Sequence, residues 1–345
     1  MDNRLPIAVL ALAFIPPGNW PVLALVPLPL SNDLRWPCHD TGGANRNSSC
    51  QARMEIVAIG YGPAWIHNDS SPIRTRAMTQ TRDIGYALIT GASSGIGAAI
   101  AREYSGRGKP LILVARRTQR LQELARELAV NAPCVVLSCD LAQPDAPAHL
   151  YAQTQSLGLF VDTLVNNAGY GVPGRYLSKD WQVHADFLQV LITAVAGLTH
   201  AYLPAMETAG HGRILNIASL AGLVPASAGH TMYGASKAWM IRFSECLALE
   251  SRPRGVNVTA LCPGFTYSEF HDVNGMRGKI SRIPKFLWMT SEQVARIGVD
   301  SVEAGKSLVI TGAANKAVAL LCKYLPDMLA RALVASRSRD FRDSN

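Results

Sequence analysis

The sequence TGASSGIG, residues 90–97, directly follows the apolar run YALI at 86–89. A short aliphatic run of this kind predicts a buried parallel strand, and the run AAIAR at 98–102 predicts that a helix follows. The glycines allow a tight turn and a close approach of a ligand to the backbone. Because a helix N-terminus presents free N–H groups and a positive dipole end, the stretch predicts a site for the pyrophosphate of a dinucleotide.

A second informative stretch is YGASK, residues 233–237. Tyr233 and Lys237 are four residues apart, so on a helix they share one face. An ammonium group near a phenol favours the phenolate, and we therefore expect Lys237 to lower the pKa of Tyr233 below its ordinary value of about 10. Such a tyrosine is a usable general acid or base. The alternative is an exposed helix that carries an incidental pair.

Other predicted strands end in residues typical of ligand sites. These residues are Ser219 after the run 213–218, Asn166-Asn167-Ala168-Gly169 at the end of the run 161–165, and Pro263-Gly264 after the run 256–261. Open α/β sheets bind ligands at the carboxyl ends of their strands. The same edge of one sheet is therefore expected to hold all of these residues.

With these residues in order, the chain resembles the short-chain dehydrogenase/reductase family. The resemblance covers residues 83–315 and rests on TGASSGIG at 90–97, Cys139-Asp140-Leu141, NNAG at 166–169, Ser219, YGASK at 233–237 and Pro263-Gly264. The predicted strands and helices alternate, which implies an α/β fold, a Rossmann-type doubly wound parallel sheet of about seven strands flanked by helices. Strands are predicted near 85–90, 110–115, 134–138, 161–165, 212–217, 256–262 and 306–311. Helices are predicted near 95–106, 118–130, 145–157, 178–204, 230–251, 291–304 and 316–335.

The resemblance implies hydride transfer between a nicotinamide cofactor and a carbonyl or alcohol substrate. By the same resemblance, Ser219 would hydrogen-bond the substrate oxygen, Tyr233 would move the proton, and Lys237 would tune Tyr233 and bind the nicotinamide ribose. The implied cofactor-binding residues are Gly91, Ser93, Ser94, Gly95, Ile96, Gly97, Arg116, Asp140, Leu141, Asn167, Ala168, Gly169, Tyr233, Lys237, Pro263, Gly264 and Ser268. Ser268 stands where relatives usually have a threonine that meets the carboxamide.

The end of the second predicted strand bears on which dinucleotide is bound. The run LILVA at 111–115 is followed by Arg116 and Arg117. An acidic residue here would hydrogen-bond a ribose 2′-hydroxyl, whereas an arginine suits a 2′-phosphate. Because Ala115 stands where NAD-using relatives carry the acid, NADP(H) is favoured over NAD(H). The alternative is that both arginines are surface charges at the start of a helix.

Leu191 departs from the family pattern, because many relatives have an asparagine there that kinks a helix and whose carbonyl holds a water leading to the lysine. The proton relay is therefore intact, rerouted or impaired. This departure keeps a noncatalytic NADP(H)-binding sensor or scaffold open beside the reductase. A third hypothesis is a membrane-associated lipid reductase.

The loop that precedes Trp288 is rich in apolar residues, which predicts a lid over a lipophilic substrate or, equally, anchors for the loop in the core. These residues are Met276, Ile280, Ile283, Phe286, Leu287 and Trp288.

Composition narrows the class of protein. The 345 residues are 48% hydrophobic, which is enough for a large core. The net charge is +8, but the sequence lacks the basic run with aromatic residues that a nucleic-acid binder would show. The seven cysteines are scattered without metal-ligand spacing, so we expect reduced thiols in a cytoplasmic protein and no metal site. The expected partners are a small-molecule carbonyl or alcohol and, by resemblance, a second copy paired through the helices near 178–204 and 230–251; membrane association is less favoured.

Residues 1–77 do not fit the domain and carry nine of the 20 prolines. The apolar run 5–15 is shorter than the roughly 20 residues that span a bilayer. The favoured interpretation is a poorly structured extension that is a start-site artefact, with the real start at Met78. A flexible or membrane-associating extension is the alternative, and a cleaved signal is least favoured because Asp2 offsets Arg4. The predicted domains are then the oxidoreductase domain at 78–315 and a C-terminal helical tail at 316–345.

Overall fold

A computed structural model describes residues 85–226, 228–229, 231–267, 287–326 and 328–331. Strand and helix alternate along these residues. The strands are β1 Tyr86–Thr90, β2 Leu111–Ala115, β3 Cys134–Ser138, β4 Val161–Asn166, β5 Gly212–Ile217, β6 Val256–Cys262, β7 Phe265–Tyr267, β8 Trp288–Thr290 and β9 Leu308–Ile310. The helices are α1 Gly95–Gly106, α2 Thr118–Leu128, α3 Ala146–Ser156, α4 Trp181–Leu188, α5 Ala194–Ala209, α6 Thr231–Ser251, α7 Ser291–Glu303 and α8 Ala313–Tyr324.

Seven strands form one parallel sheet in the order β3-β2-β1-β4-β5-β6-β9, which confirms the predicted fold class. β1 and β4 are almost wholly buried, as apolar strands covered on both faces must be. The first strand, β1, lies near the centre of the sheet. The chain winds from there outward to β3 and then returns to the other side of β1 at β4. The connections therefore lead away from β1 and β4 in opposite directions. The carboxyl ends of these two strands border the crevice where such sheets bind ligands.

Hydrophobic clusters cover both faces of the sheet. On one face, α1, α2 and α7 contribute Ile100, Leu121 and Val299. On the other face, α3, α4 and α5 contribute residues such as Leu150 and Phe187. Both faces are thus buried under helices, which leaves the strand ends as the accessible part of the sheet.

The helix predicted at 178–204 is instead divided into α4, a π-helical turn at Gln189–Thr193, and α5. α5 runs five residues past Pro204 and is capped by Gly210, whose positive φ of 66° suits glycine. The continuous run Trp181–Ala209 is long and apolar enough to cross a membrane by length and composition alone, with a mean hydropathy of 1.4. Core helices of soluble proteins pass the same test, and here Phe187 and Tyr202 pack into the core.

The C-terminal end of the domain also differs from the prediction. α8 begins at Ala313, three residues earlier than predicted, and ends at Tyr324. Leu325 has an extended backbone (φ −66°, ψ 146°) because it precedes Pro326, and residues before proline avoid the helical region. A further helical turn follows at 328–331. The short parallel pair β7–β8 was not predicted.

Several predictions fall outside the described residues. They concern the segment 1–77 with its start at Met78, the cofactor residue Ser268, the lid residues Met276, Ile280, Ile283 and Phe286, and the tail from residue 332 onward. The domain boundaries at 77/78 and 315/316 stay predictions.

Candidate active site

The glycine turn after β1 packs directly on the turn after β4. Gly91 has a φ of 65°, and a Cβ atom there would lie 2.9 Å from the Ala168 Cα. A Cβ atom at Gly97 would collide with the side-chain amide of Asn167 and the carbonyl of Gly91. Only glycine fits at these two positions, because the turns after β1 and β4 pack closely on each other there.

Two polar side chains clamp these turns together. The Thr90 hydroxyl accepts hydrogen bonds from the backbone N–H groups of Asn167 (3.0 Å) and Ala168 (3.1 Å) and donates to the Val165 carbonyl (3.1 Å). The Asn167 side chain donates to the carbonyls of Thr90 (2.9 Å) and Gly91 (3.2 Å). The Asn167 amide nitrogen therefore holds the glycine turn in place.

The N-terminus of α1 opens onto the same edge. Gly95 begins the helix with a φ of 55°, and the side chain of the N-cap residue Ser94 makes no capping hydrogen bond to the helix. Ile96 packs its side chain on the core below. The first N–H groups of α1 therefore lie directly after the glycine turn, where the sequence predicts an anion site.

Arginine reaches this edge from the end of β2. The Arg117 guanidinium donates to the hydroxyls of Ser93 (3.0 Å from Nη2) and Ser94 (2.7 Å). Arg116 is also exposed, and its Nη1 lies 3.9 Å from Oδ1 of Asp140. The sequence interpretation named Arg116 as the cofactor residue, whereas Arg117 is the one that contacts the glycine turn.

Asp140 and Leu141 follow β3 at the neighbouring position of the same edge. The Asp140 Oδ1 accepts a hydrogen bond from the Ala142 N–H (3.2 Å), which fixes the turn. Leu141 is buried in the core, and Cys139 N–H bonds the Ala115 carbonyl at the end of β2 (3.2 Å). The structure thus places Asp140 beside Arg116, and the contact of Asp140 and Leu141 with the cofactor stays a prediction.

The three candidate catalytic side chains lie together across the crevice. The hydroxyls of Ser219 and Tyr233 are hydrogen-bonded to each other. The Nζ of Lys237 lies 5.7 Å from the centroid of the Tyr233 ring and donates to the Ile217 carbonyl at the end of β5 (2.7 Å). The sequence placed Tyr233 and Lys237 on one helix face, and α6 does so.

Close backbone packing explains why Ser219 meets Tyr233. A Cβ atom at Gly222 would lie 2.7 Å from the Lys237 carbonyl carbon and from the Ala238 nitrogen. The short turn after Ser219 therefore rests directly on α6. Sequence reasoning missed Gly222, although its place three residues after Ser219 and the absence of a side chain were visible.

The pKa values correct one expectation. Desolvation raises the pKa of Tyr233 to about 12, and the hydrogen bond from Ser219 opposes this shift only in part. Burial lowers the pKa of Lys237 to about 8. The expected lowering of the Tyr233 pKa is wrong for the protein alone, because Nζ lies over the ring face and desolvation outweighs the hydrogen bond.

Cys262 is a further residue that sequence reasoning missed. It is fully buried at the end of β6, where its sulfur receives a hydrogen bond from the Ser219 backbone and faces Lys237. Burial raises the pKa of its thiol to about 12. The neutral thiol therefore accepts the hydrogen bond from the Ser219 backbone without adding a charge to the site.

The loop after β6 is fixed against α8. The Pro263 carbonyl accepts a hydrogen bond from the Leu220 N–H (2.9 Å), which ties the loop to the residue after Ser219. A Cβ atom at Gly264 would collide with the buried side chain of Asn315 in α8. Both glycine and proline thus lie at the crevice edge, next to the ends of β5 and β6.

Leu191 lies in the π-helical turn between α4 and α5. Its side chain is fully buried, and its Cδ1 is 3.7 Å from where a Cβ atom of Gly169 would be. The helix is therefore irregular at this position without an asparagine amide to fix it. Among the residues that the structure describes, no group of three or more potential metal ligands comes together.

Known proteins resemble this chain in sequence and in fold. Residues 85–275 match the model of the short chain dehydrogenase family. Nodulation protein G of Rhizobium sp. (strain N33) is 36% identical over 232 residues, which are 66% of this chain and 92% of that protein. Sulfoacetaldehyde reductase of Chromohalobacter salexigens is 35% identical over 188 residues, 53% of this chain and 73% of that protein. A short-chain dehydrogenase from Sphingobium yanoikuyae, solved in complex with NADPH, is similar with a TM-score of 0.62 and 28% identity over 76% of this chain and 98% of that one.

Proposed function

The chain belongs to the short-chain dehydrogenase/reductase family, and from that premise we propose that it is an NADP(H)-dependent enzyme that interconverts a carbonyl and an alcohol, with Tyr233 as general acid and base. Family membership supports the coarser statement, that of an oxidoreductase acting on small molecules. The observation that carries the finer one is the group of Ser219, Tyr233 and Lys237 at the carboxyl edge of the sheet. This edge also holds the glycine turn, so substrate and cofactor sites adjoin.

The residues at the glycine turn fit a dinucleotide. The turn has no room for side chains at Gly91 and Gly97, and the N-terminus of α1 faces the same edge. Gly169, Pro263 and Gly264 border the crevice toward α6, where the nicotinamide half would lie. NADPH, when bound, supplies the hydride that a carbonyl carbon accepts.

The arginines at the end of β2 support NADP(H) over NAD(H). Ala115 ends the strand without a carboxylate that could bind a ribose 2′-hydroxyl. The Arg117 guanidinium on Ser93 and Ser94 is a planar fork suited to a 2′-phosphate, and Arg116 adds a second positive charge nearby. The structure of the Sphingobium yanoikuyae relative with NADPH agrees with this preference.

The proton chemistry follows from the pKa values of the two side chains. With a pKa of about 12, Tyr233 holds its proton at neutral pH and is ready to donate it to a carbonyl oxygen. Ser219, hydrogen-bonded to the same phenol, would orient that oxygen. Lys237 is charged below a pH of about 8, and this charge near the ring would favour the phenolate that remains after proton transfer, against the larger opposing effect of desolvation. In the oxidation direction the same groups take the proton back.

The noncatalytic sensor is the competing function, because Leu191 lacks the amide found in relatives. The π-helical turn at Gln189–Thr193 argues for the enzyme, since the helix is irregular there with leucine in place. The described portion of the site keeps all three catalytic side chains in mutual reach.

The experiment that tests the proposed function measures oxidation of NADPH and of NADH by the purified chain against a panel of ketones and aldehydes. We expect turnover with NADPH and a lower kcat/KM with NADH.

Arg117→Ala is expected to lower the kcat/KM for NADPH by about tenfold to a hundredfold, the value of a charge-assisted phosphate contact, and to leave the kcat/KM for NADH unchanged. Arg126→Ala, at an exposed arginine on α2, the helix that Arg117 precedes, is the matched control. NADPH binding without turnover of any substrate would favour the sensor.

A further inference from the structure

Asn315 is a buried polar residue that belongs to none of the motifs of the family resemblance. It lies in the first turn of α8 and is 3% exposed. Its side-chain Nδ2 donates a hydrogen bond to the Thr311 carbonyl (2.8 Å), directly after β9. The match to the family model covers residues 85–275 and so ends before this residue. The resemblance therefore assigns no role to the Asn315 amide.

The contact between Asn315 and Gly264 explains why glycine stands in the loop after β6. A Cβ atom at Gly264 would collide with the carboxamide group of Asn315. The φ angle of Gly264 lies outside the left-handed region in which glycine is favoured. Space for the Asn315 carboxamide, rather than backbone conformation, is therefore what excludes a side chain at residue 264.

The pairing of β6 with β9 fixes the two partners of this contact relative to each other. Cys262, the last residue of β6, is in register with Ile310 of β9. The Thr311 N–H donates a hydrogen bond to the Cys262 carbonyl (3.3 Å), and the Thr311 carbonyl accepts the bond from Asn315. The carboxamide is thus held from the end of β9, two residues along the chain from where β6 gives way to Gly264.

The same loop is tied to the candidate catalytic residues. The Pro263 carbonyl accepts a hydrogen bond from the Leu220 N–H (2.9 Å), and Leu220 directly follows Ser219. Ser219 is in turn hydrogen-bonded to Tyr233. A shift of the loop at Gly264 would therefore reach the turn that holds the Ser219 hydroxyl.

We propose that Asn315 is a positioning residue for the nicotinamide end of the cofactor, because its carboxamide packs on Gly264 and fixes the loop that borders that end. The proposal rests on the proposed function, which places the nicotinamide half beside Pro263 and Gly264. Asn315 acts through the backbone of this loop. Without the carboxamide the loop has room to move toward α8, and a small misplacement of bound reactants is enough to slow the reaction.

Asn315→Ala removes the carboxamide and leaves a gap beside Gly264. We expect the Kd for NADPH, measured by fluorescence, to rise by about threefold to tenfold, because binding must then also order the loop. The kcat with a ketone or aldehyde that the parent reduces is expected to fall by about tenfold, since the nicotinamide is held less exactly against the substrate.

An exchange of size between the two residues tests the contact itself. Gly264→Ala alone is expected to raise the Kd for NADPH by about tenfold to a hundredfold, because the new methyl group collides with the Asn315 carboxamide. In the double variant Gly264→Ala/Asn315→Ala, the methyl group takes the space that the carboxamide leaves. We therefore expect its Kd to be about fivefold or more below that of Gly264→Ala.

Asn257→Ala is the matched control, because it removes a similar side chain at the opposite edge of the sheet. Asn257 is the second residue of β6, its Nδ2 donates to the Val302 carbonyl (3.0 Å), and its Oδ1 lies 3.1 Å from where a Cβ atom of Gly305 would be. We expect this variant to lose stability in the same way and to keep the parental Kd and kcat.

Circular dichroism checks that each variant is folded at the assay temperature. Parental Kd and kcat in Asn315→Ala, or a double variant that binds no better than Gly264→Ala, would overturn the inference and leave the proposed function intact. Equal weakening by Asn257→Ala would also overturn it, since general destabilisation would then be the cause. NADPH binding by the parent without turnover would contradict the proposed reaction alone, because the Kd values would still test the position of the loop. A parent that binds no dinucleotide would overturn both.

Discussion

At the scale of single residues, the site depends on side chains that hold backbone rather than ligand. Thr90 and Asn167 use five hydrogen bonds to join the turns after β1 and β4. The resemblance placed Asn167 beside the ribose. It does not reveal that the side-chain amide nitrogen of Asn167 is bound to the carbonyls of the glycine turn. A substitution at either residue is therefore expected to disturb cofactor binding through the shape of the turn.

The burial of Lys237, a residue of the proposed proton-transfer group, lowers the stability of the native state. It is 5% exposed, and burial lowers its pKa from 10.5 to about 8. Its native state thus binds a proton more weakly than the unfolded chain does, so this residue makes the native state more stable as pH rises from 8 toward 10.5. Below pH 8 the full penalty is present, because the ammonium is charged in both states.

Lys237→Met is therefore expected to raise the free energy of unfolding at pH 7, by up to about 3 kcal/mol. Loss of the hydrogen bond to the Ile217 carbonyl offsets part of this gain. The difference between variant and parent is expected to shrink by pH 10, measured by urea unfolding at both values. A variant that is less stable than the parent at pH 7 would contradict the assignment of a penalised buried ammonium.

At the scale of elements, the irregular helix between α4 and α5 bears on the proton relay. A π-helical turn lengthens the hydrogen-bonding pattern for one turn and is frequent at functional sites. Here it forms around a fully buried Leu191. Local sequence could not predict it, because leucine is a good helix former and nothing in the run signals a break.

Leu191→Asn tests whether an amide is needed at this turn. Since the turn forms with leucine, we expect a turnover number within about twofold of the parent. Burial of the amide among apolar neighbours is expected to lower the free energy of unfolding by about 1–3 kcal/mol. Steady-state kinetics and urea unfolding give the two quantities. A clear rise in turnover would mean that the parent relay is impaired.

Elements also explain which parts of the site were predictable. The carboxyl ends of parallel strands meet at one edge, so Asp140, Asn167, Ser219 and Gly264 could be grouped from strand order alone. Arg117 could not be separated from Arg116, because which of them reaches Ser93 depends on how the first turn of α2 is oriented. The packing of α8 on the loop after β6 depends equally on contacts that no local pattern contains.

At the scale of the whole molecule, the alternation of strand and helix was sufficient to predict the seven-stranded parallel sheet. Right-handed crossovers leave few topologies for such a chain, and the observed order β3-β2-β1-β4-β5-β6-β9 is one of them. The pair β7–β8 was missed because each strand has three residues. Pairing of copies through the helices near 178–204 and 230–251, now α4, α5 and α6, stays a prediction that light scattering tests.

Cofactor binding is expected to stabilise the entire domain. A ligand that binds the native state alone adds about 2.7 kcal/mol at a hundredfold excess over its Kd, which for a domain of this size corresponds to a rise in Tm of about 5–10 °C. NADP⁺ is expected to give such a shift and NAD⁺ at the same concentration a smaller one, measured by differential scanning fluorimetry. Equal shifts would contradict a role of Arg116 and Arg117 in binding a 2′-phosphate.

The most direct test of the proton-transfer claim is the turnover of Tyr233→Phe with NADPH and a ketone or aldehyde that the parent reduces. The variant keeps the ring over which Lys237 lies but loses the proton donor. We expect kcat to fall by about 10²–10⁴-fold while the Kd for NADPH, measured by fluorescence, changes by less than about threefold. Tyr151→Phe, a tyrosine on α3 outside the site, is the matched control and is expected to keep parental turnover. Turnover by Tyr233→Phe at the parental rate would contradict the account.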